Sequence, residues 1–133
     1  DLGVSAQTVK AYFEVLDIMG LIYFVYNSVN PLVKLNSTKK AYVNSMFYLD
    51  ASKLDLSVSF GFAAESYVLE KLLERNETVT FYRKRIKEID FLLPKKKEAF
   101  EVKFRSDYPP PQGIKDYSLK VISLNGEFPV CLF

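Results

Sequence analysis

The spacing of apolar positions changes several times along the chain, and each change marks an element. Ser5 is a good helix N-cap, and after it Val9, Tyr12, Phe13 and Leu16 fall at i, i+3, i+4 and i+7, the spacing of an amphipathic helix. Gly20 is placed to end that helix, and residues 21–26, aromatic and β-branched, predict a strand. Residues 27–31 read as a turn, 32–35 as a returning strand and 36–40 as a polar linker. A strand is expected over 41–49, and a loop or short helix over 50–60. Residues 61–75 predict a long helix whose apolar stripe is Phe62, Ser66, Leu69, Leu72 and Leu73. Strands follow at 78–83, 86–93 and 99–104, the last two joined by a lysine-rich loop at 94–97. Three consecutive prolines keep 108–112 out of helix and central strand. Strands at 120–124 and 128–133, turned by Asn125-Gly126, complete the chain, with Pro129 confining the last one to an edge.

These elements place carboxylates in unusual positions. Glu65 lies three residues after Phe62 and four before Leu69, on or beside the buried stripe. A carboxylate facing the interior is costly unless a metal, a cation or hydrogen bonds hold it. The plain alternative is a side chain at the margin of the stripe that reaches out to water. Strict alternation over 86–93 puts Ile86, Glu88, Asp90 and Leu92 on one face. In the next strand Ala99, Glu101 and Lys103 share a face. A four-residue loop at 94–97 pairs Leu93 with Glu98, and the same count sets Asp90 across from Glu101 and Glu88 across from Lys103. Facing carboxylates with Cβ atoms about 5 Å apart repel one another. A divalent cation between them reverses the sign. With Lys103 beside them to pair with an anion or orient a water, Asp90 and Glu101 have the makings of a hard-metal site for phosphodiester hydrolysis.

Composition narrows the chemistry. The 133 residues include no histidine, which removes Ser-His and Cys-His machinery and the commonest zinc ligand, and leaves carboxylates, Lys, Tyr, Ser or a hard metal such as Mg²⁺. Cys131 is the one cysteine, so no intrachain disulfide forms, which fits a reducing cytoplasm. No apolar run is long enough to cross a bilayer, so no membrane partner is expected. Net charge is only +2, but Arg83, Lys84, Arg85, Lys87, Lys95, Lys96, Lys97, Lys103 and Arg105 make up half of the 18 basic residues. That cluster can steer a polyanion, or simply keep a hairpin edge solvated. Lys84, Arg85, Lys87 and Arg105 are the candidates for nucleic-acid contact.

The order helix-Glu65, strand-Asp90, then Glu101-Val102-Lys103 resembles the PD-(D/E)XK restriction-endonuclease-like superfamily. More narrowly, FGFAAESYVLEKLL, FYRKRIKEIDFLL and FEVKFRS resemble the C-terminal region of prokaryotic AAA-type ATPases. There a P-loop ATPase domain leads into a winged helix and then a domain of unknown function with this nuclease-like core. LGVSAQTVKAYFEVLDIMGLI, in turn, resembles the second half of a winged helix: a turn, a recognition helix with Gln7, Thr8 and Lys10 near its start, and a strand into the wing. Because the preceding helix is missing, the chain is expected to be a piece of a longer protein.

The resemblance spans roughly residues 1–104 and implies an α/β or α+β fold, a mixed sheet flanked by helices. It divides the chain into a partial winged-helix module at 1–35 and a nuclease-like domain at 36–133. It implies Mg²⁺ or Mn²⁺ held by Asp90, Glu101 and the Val102 carbonyl, Lys103 on the attacking water, and Glu65 completing the site. Its implied partners are DNA more than RNA, and the ATPase domain of the same protein. No phosphate-binding loop, and so no ATP site, lies in this chain. The chain departs from the superfamily in lacking an evident helix after the Glu-x-Lys strand. Three roles stay open: a metal-dependent DNA nuclease, an inactive nucleic-acid- or protein-binding module, and a structural assembly domain.

Overall fold

Ser5 begins the first helix as its spacing requires, its Oγ accepting the Thr8 N–H at 3.1 Å. The computed structural model describes residues 3–29, 39–53, 59–105 and 113–128. In chain order the elements are α1 (Ala6–Ile18), β1 (Ile22–Asn27), β2 (Lys39–Val43), α2 (Ser45–Lys53), α3 (Phe60–Glu74), β3 (Thr80–Lys84), β4 (Lys87–Leu93), β5 (Glu98–Lys103) and β6 (Ser118–Ser123). The protein is therefore a mixed α and β structure built on one six-stranded sheet, ordered β2-β1-β3-β4-β5-β6. β1 pairs antiparallel with β2 and parallel with β3, β3–β4–β5 form an antiparallel meander, and β6 runs parallel to β5. The linker expected at 36–40 thus leads into a strand, and the sheet runs unbroken from β1 across to β6. Among the described residues no helix is long and apolar enough to cross a membrane.

α3 covers one face of the sheet. Its buried residues are Ala63, Ala64, Ser66, Val68, Leu69 and Leu72, packed on Val25, Tyr42, Phe81, Phe91, Phe100 and Val102. The stripe is shifted from the expected one: Phe62 is 60% exposed and Leu73 36%. Two alanines, which let the helix approach the sheet closely, take the centre instead. A smaller cluster of Ile89, Leu92 and Ala99 lies on the opposite face, under Ile114, Tyr117 and Leu119. α1 touches that same side of β1, Phe13 meeting Phe24 at 6.1 Å between ring centroids, and none of its residues is buried.

One expectation about the elements is corrected. The strand predicted over 41–49 ends at Val43, and Ser45–Lys53 is helical. Aromatic content suggested a strand, but the Glu70 carboxylate accepts from both the N–H and the Oγ of Ser45 at 2.6 Å, and this tertiary contact starts a helix there. The return strand at 32–35, the proline segment at 108–112 and most of the final strand at 128–133 lie outside the described residues. At the Asn125-Gly126 turn both residues have positive φ, 53° and 86°, as a tight hairpin turn demands.

The shifted stripe predicts unequal sensitivity along α3. Leu69→Ala should cost about 2–5 kcal/mol in chemical denaturation, whereas Phe62→Ala should stay within about 0.5 kcal/mol. Equal losses would contradict this packing.

Candidate functional site

β4 holds one residue more than β3 can match. Thr80 pairs with Leu92 and Tyr82 with Ile89, so Phe81 alone faces both Asp90 and Phe91: a β-bulge in β4. The bulge breaks the strict alternation expected for this strand. Ile89 packs with Leu92 on one side of the sheet, while Phe91 and Leu93 pack under α3 on the other. Five successive residues, Ile89 to Leu93, are buried, with Asp90 among them at 9% exposure.

The loop at 94–97 has its expected length, and Leu93 pairs with Glu98, Leu92 with Ala99 and Phe91 with Phe100. Among the described residues the ladder stops there, one step short of the expected Asp90–Glu101 pair. In place of a backbone carbonyl, the Asp90 carboxylate accepts the Val102 N–H at 2.8 Å. The side chain thus lies between β4 and β5 where the strands part.

Glu101 and Lys103 follow on β5. The Lys103 ammonium donates to Glu101 Oε1 at 2.8 Å, and Glu101 Oε2 is buried without a hydrogen-bond partner. Glu65 leans from α3 toward the edge strands, where its Oε2 accepts the Tyr42 hydroxyl at 3.1 Å and lies 3.9 Å from the Lys40 ammonium. Lys40 also pairs with Glu88, which Arg83 holds from the neighbouring strand. Lys40 and Tyr42 were missed from the sequence because no local pattern tells that β2 lies near α3 and β4.

The four predicted residues share one electrostatic neighbourhood. Burial pushes the Asp90 carboxyl up to about 7, with Glu65 and Glu101 adding to the rise and Val102 N–H and Lys40 opposing it. Burial also raises Glu65, although Lys40 and Tyr42 pull it back in part. Burial would lower Lys103, but Glu101, Asp90 and Glu65 outweigh it and keep the ammonium charged. For Glu88, burial is outweighed by Arg83 and Lys40, which hold it below the usual carboxylate range. Tyr42 is shifted far upward by burial and by its acidic neighbours, so it remains a donor.

Among the described residues no three acidic or thiol side chains are spaced to hold a metal ion. Mg²⁺ needs only one or two carboxylates and keeps several waters. The orphaned Glu101 oxygen, near an Asp90 with no cation in ion-pair distance among the described residues, is a donor set that such an ion would fit. Two clefts of about 530 Å³ are lined by other residues, one around Tyr23, Tyr67 and Glu70, the other around Arg75, Lys96 and Lys120. Of the expected nucleic-acid contacts, Lys84, Arg85 and Arg105 are exposed, while the Lys87 ammonium donates to the Gly113 carbonyl. No family model, no curated protein and no solved structure matches the chain.

The raised Asp90 carboxyl makes stability pH-dependent. The folded group keeps a proton that the unfolded chain sheds near pH 4, so its contribution is complete below that value and is lost as pH rises to about 7. The cost of ionising it is at most about 4 kcal/mol. In metal-free buffer Asp90→Asn, which can still accept from Val102, should match wild type near pH 4 and melt higher at pH 8, by up to about 15 °C. A gap that does not change with pH would refute the assignment.

Proposed function

We propose that this chain is the restriction-endonuclease-like C-terminal domain of an AAA-type ATPase, and that it hydrolyses phosphodiester bonds in DNA with Mg²⁺ or Mn²⁺. The observation that carries this reading is the buried, unpartnered Glu101 oxygen, near enough to Asp90 to raise its carboxyl, with Asp90 held where the β4–β5 ladder stops. Asp90, Glu101 and the Val102 carbonyl would hold the ion. When bound there, a hard cation would supply Lewis acidity toward a phosphoryl oxygen and toward a water.

The protein's own groups supply the rest. The Val102 N–H fixes Asp90, so the acid needs no rearrangement to act as a ligand. Lys103, charged and tied to Glu101, is placed to orient a water or steady charge on the phosphate. Glu65, aligned by Tyr42 and Lys40, offers an acceptor for a water on the α3 side. The ATPase site would lie elsewhere in the full-length protein, as the resemblance in the sequence implies.

A second reading is favoured by one feature: the cations at the site are already engaged, Lys103 by Glu101 and Lys40 by Glu65 and Glu88. A site closed on its own charges suits an inactive module that binds nucleic acid or a protein partner for the ATPase. Plasmid and single-stranded DNA incubated with Mg²⁺ or Mn²⁺ separate the two. The nuclease reading expects cleavage that falls by about 100-fold or more in both Asp90→Asn and Lys103→Ala. Cleavage that survives both substitutions would sink the residue roles, and salt-sensitive binding without any cleavage would favour the inactive module.

A further inference from the structure

The turn between β3 and β4 is built against the usual preference. The Lys84–Lys87 pair closes it, which leaves Arg85 and Ile86 as a two-residue connection. Such turns favour Asn-Gly or Gly-containing pairs because they need positive φ. Here Arg85 sits at φ 56° and a β-branched residue follows it. Ile86 is 104% exposed, its whole side chain in water, the most exposed of the large apolar residues described. Four cations surround it. Arg83 is held by Glu88 and Lys87 by the Gly113 carbonyl, while Lys84 and Arg85 are exposed and make no ion pair among the described residues.

We propose that this tip is a wedge for double-stranded DNA: Ile86 enters the minor groove and parts one base step, while Lys84 and Arg85 take the flanking phosphates. An isoleucine side chain gains about 2 kcal/mol by leaving water, and a parted base step offers an apolar slot of its size. Proteins that bend DNA from the minor groove combine an aliphatic or aromatic wedge with basic residues in this way. The position fits as well. Ile86 lies four residues along β4 from Asp90, about 13 Å at strand spacing, or about four base-pair steps. β4 and β5 are antiparallel, so the tip is at the end of the sheet where Glu101 and Lys103 finish β5. One duplex can reach both. The inference rests on the nucleic-acid reading above for the class of polymer, and adds that the polymer is a duplex bent at the tip. A bilayer is disfavoured because surface anchoring uses a broad apolar face, and this tip offers one aliphatic residue.

The test is made in EDTA, so that binding is read without cleavage. A short duplex carries a single TA step, a flexible step that parts easily, with 2-aminopurine in place of its adenine. Wild type should brighten the probe as the step unstacks, and Ile86→Ser, a change at a fully exposed position, should abolish that signal. Ile86→Ser should also weaken binding on the order of tenfold with the salt dependence unchanged. Lys84→Ala and Arg85→Ala should each reduce the slope of log K against log salt by about one. Wild-type brightening and affinity in Ile86→Ser would overturn the wedge, even if the chain cuts DNA. Brightening by wild type without cleavage in Mn²⁺ would leave the wedge standing and remove the nuclease. Binding to phosphatidylserine vesicles that Ile86→Ser abolishes, with no duplex binding, would overturn the wedge in favour of a membrane.

Discussion

A single backbone N–H from Val102 meets the Asp90 carboxylate at 2.8 Å, and this contact ties the sheet to the site. It exists because β4 is one residue too long for β3. The bulge at Asp90 and Phe91 turns the strand so that a side-chain oxygen stands where a carbonyl would continue the ladder. Without that oxygen, a donor between two strands would lose its partner, a loss of about 1–3 kcal/mol. The same bulge sends Ile89 to one face and Phe91 to the other, which lets this strand serve both hydrophobic clusters. Packing and site geometry therefore have one cause, and a change that straightened β4 would disturb both.

The charges around the bulge are unequally compensated. Glu88 has Arg83 and Lys40, Glu65 has Tyr42 and Lys40, and Glu101 has Lys103 for one of its oxygens. Asp90 has a backbone N–H and, among the described residues, no cation within ion-pair distance. Its carboxyl rises to about 7 while Glu88, by nature the slightly weaker acid, is held down. Stability alone would not leave a buried acid without a cation while a neighbouring acid has two. The metal reading proposed above would account for this imbalance, with the ion held between Asp90 and Glu101.

Much of this was legible in the sequence where chemistry is local. The Ser5 cap, the positive-φ Gly20, the four-residue loop after Leu93 and the Asn125-Gly126 turn each follow from a few adjacent residues. What depended on distant strands was not legible. The bulge is a mismatch between two strands and leaves no mark in β4 alone. Alternation therefore set Ile89 on the face opposite Leu92, with which it packs, while correctly putting Phe100 and Val102 on one face. Ser45–Lys53 looked like strand because Met46, Phe47 and Tyr48 suit one, and the Glu70 carboxylate that starts the helix is far along the chain. Lys40 and Tyr42 belong to a segment that looked like a linker and a strand of no special interest. The pairing of β2 with β1, and of β1 with β3, brings them to Glu65.

The basic cluster shows how structure sharpens a compositional signal. Read as sequence, nine cations over 83–105 make one diffuse positive region. In the fold several of them are paired: Arg83 with Glu88, Lys87 with the Gly113 carbonyl, Lys96 with Glu77 and Lys103 with Glu101, while Lys97 lies over the Tyr117 ring. Lys84, Arg85 and Arg105 remain exposed toward the end of the sheet that holds the acids, and Lys95 at the opposite loop. Paired charges contribute little to a long-range field, since each is cancelled within a few ångströms. Two of the exposed cations that make no ion pair among the described residues, Lys84 and Arg85, stand together at the β3–β4 turn. A diffuse patch would hold any polyanion in any orientation, whereas cations gathered at one tip impose a direction of approach. On the nucleic-acid reading proposed above, that direction would bring a backbone past Ile86 and on toward Lys103, and the small net charge of the chain would not oppose it.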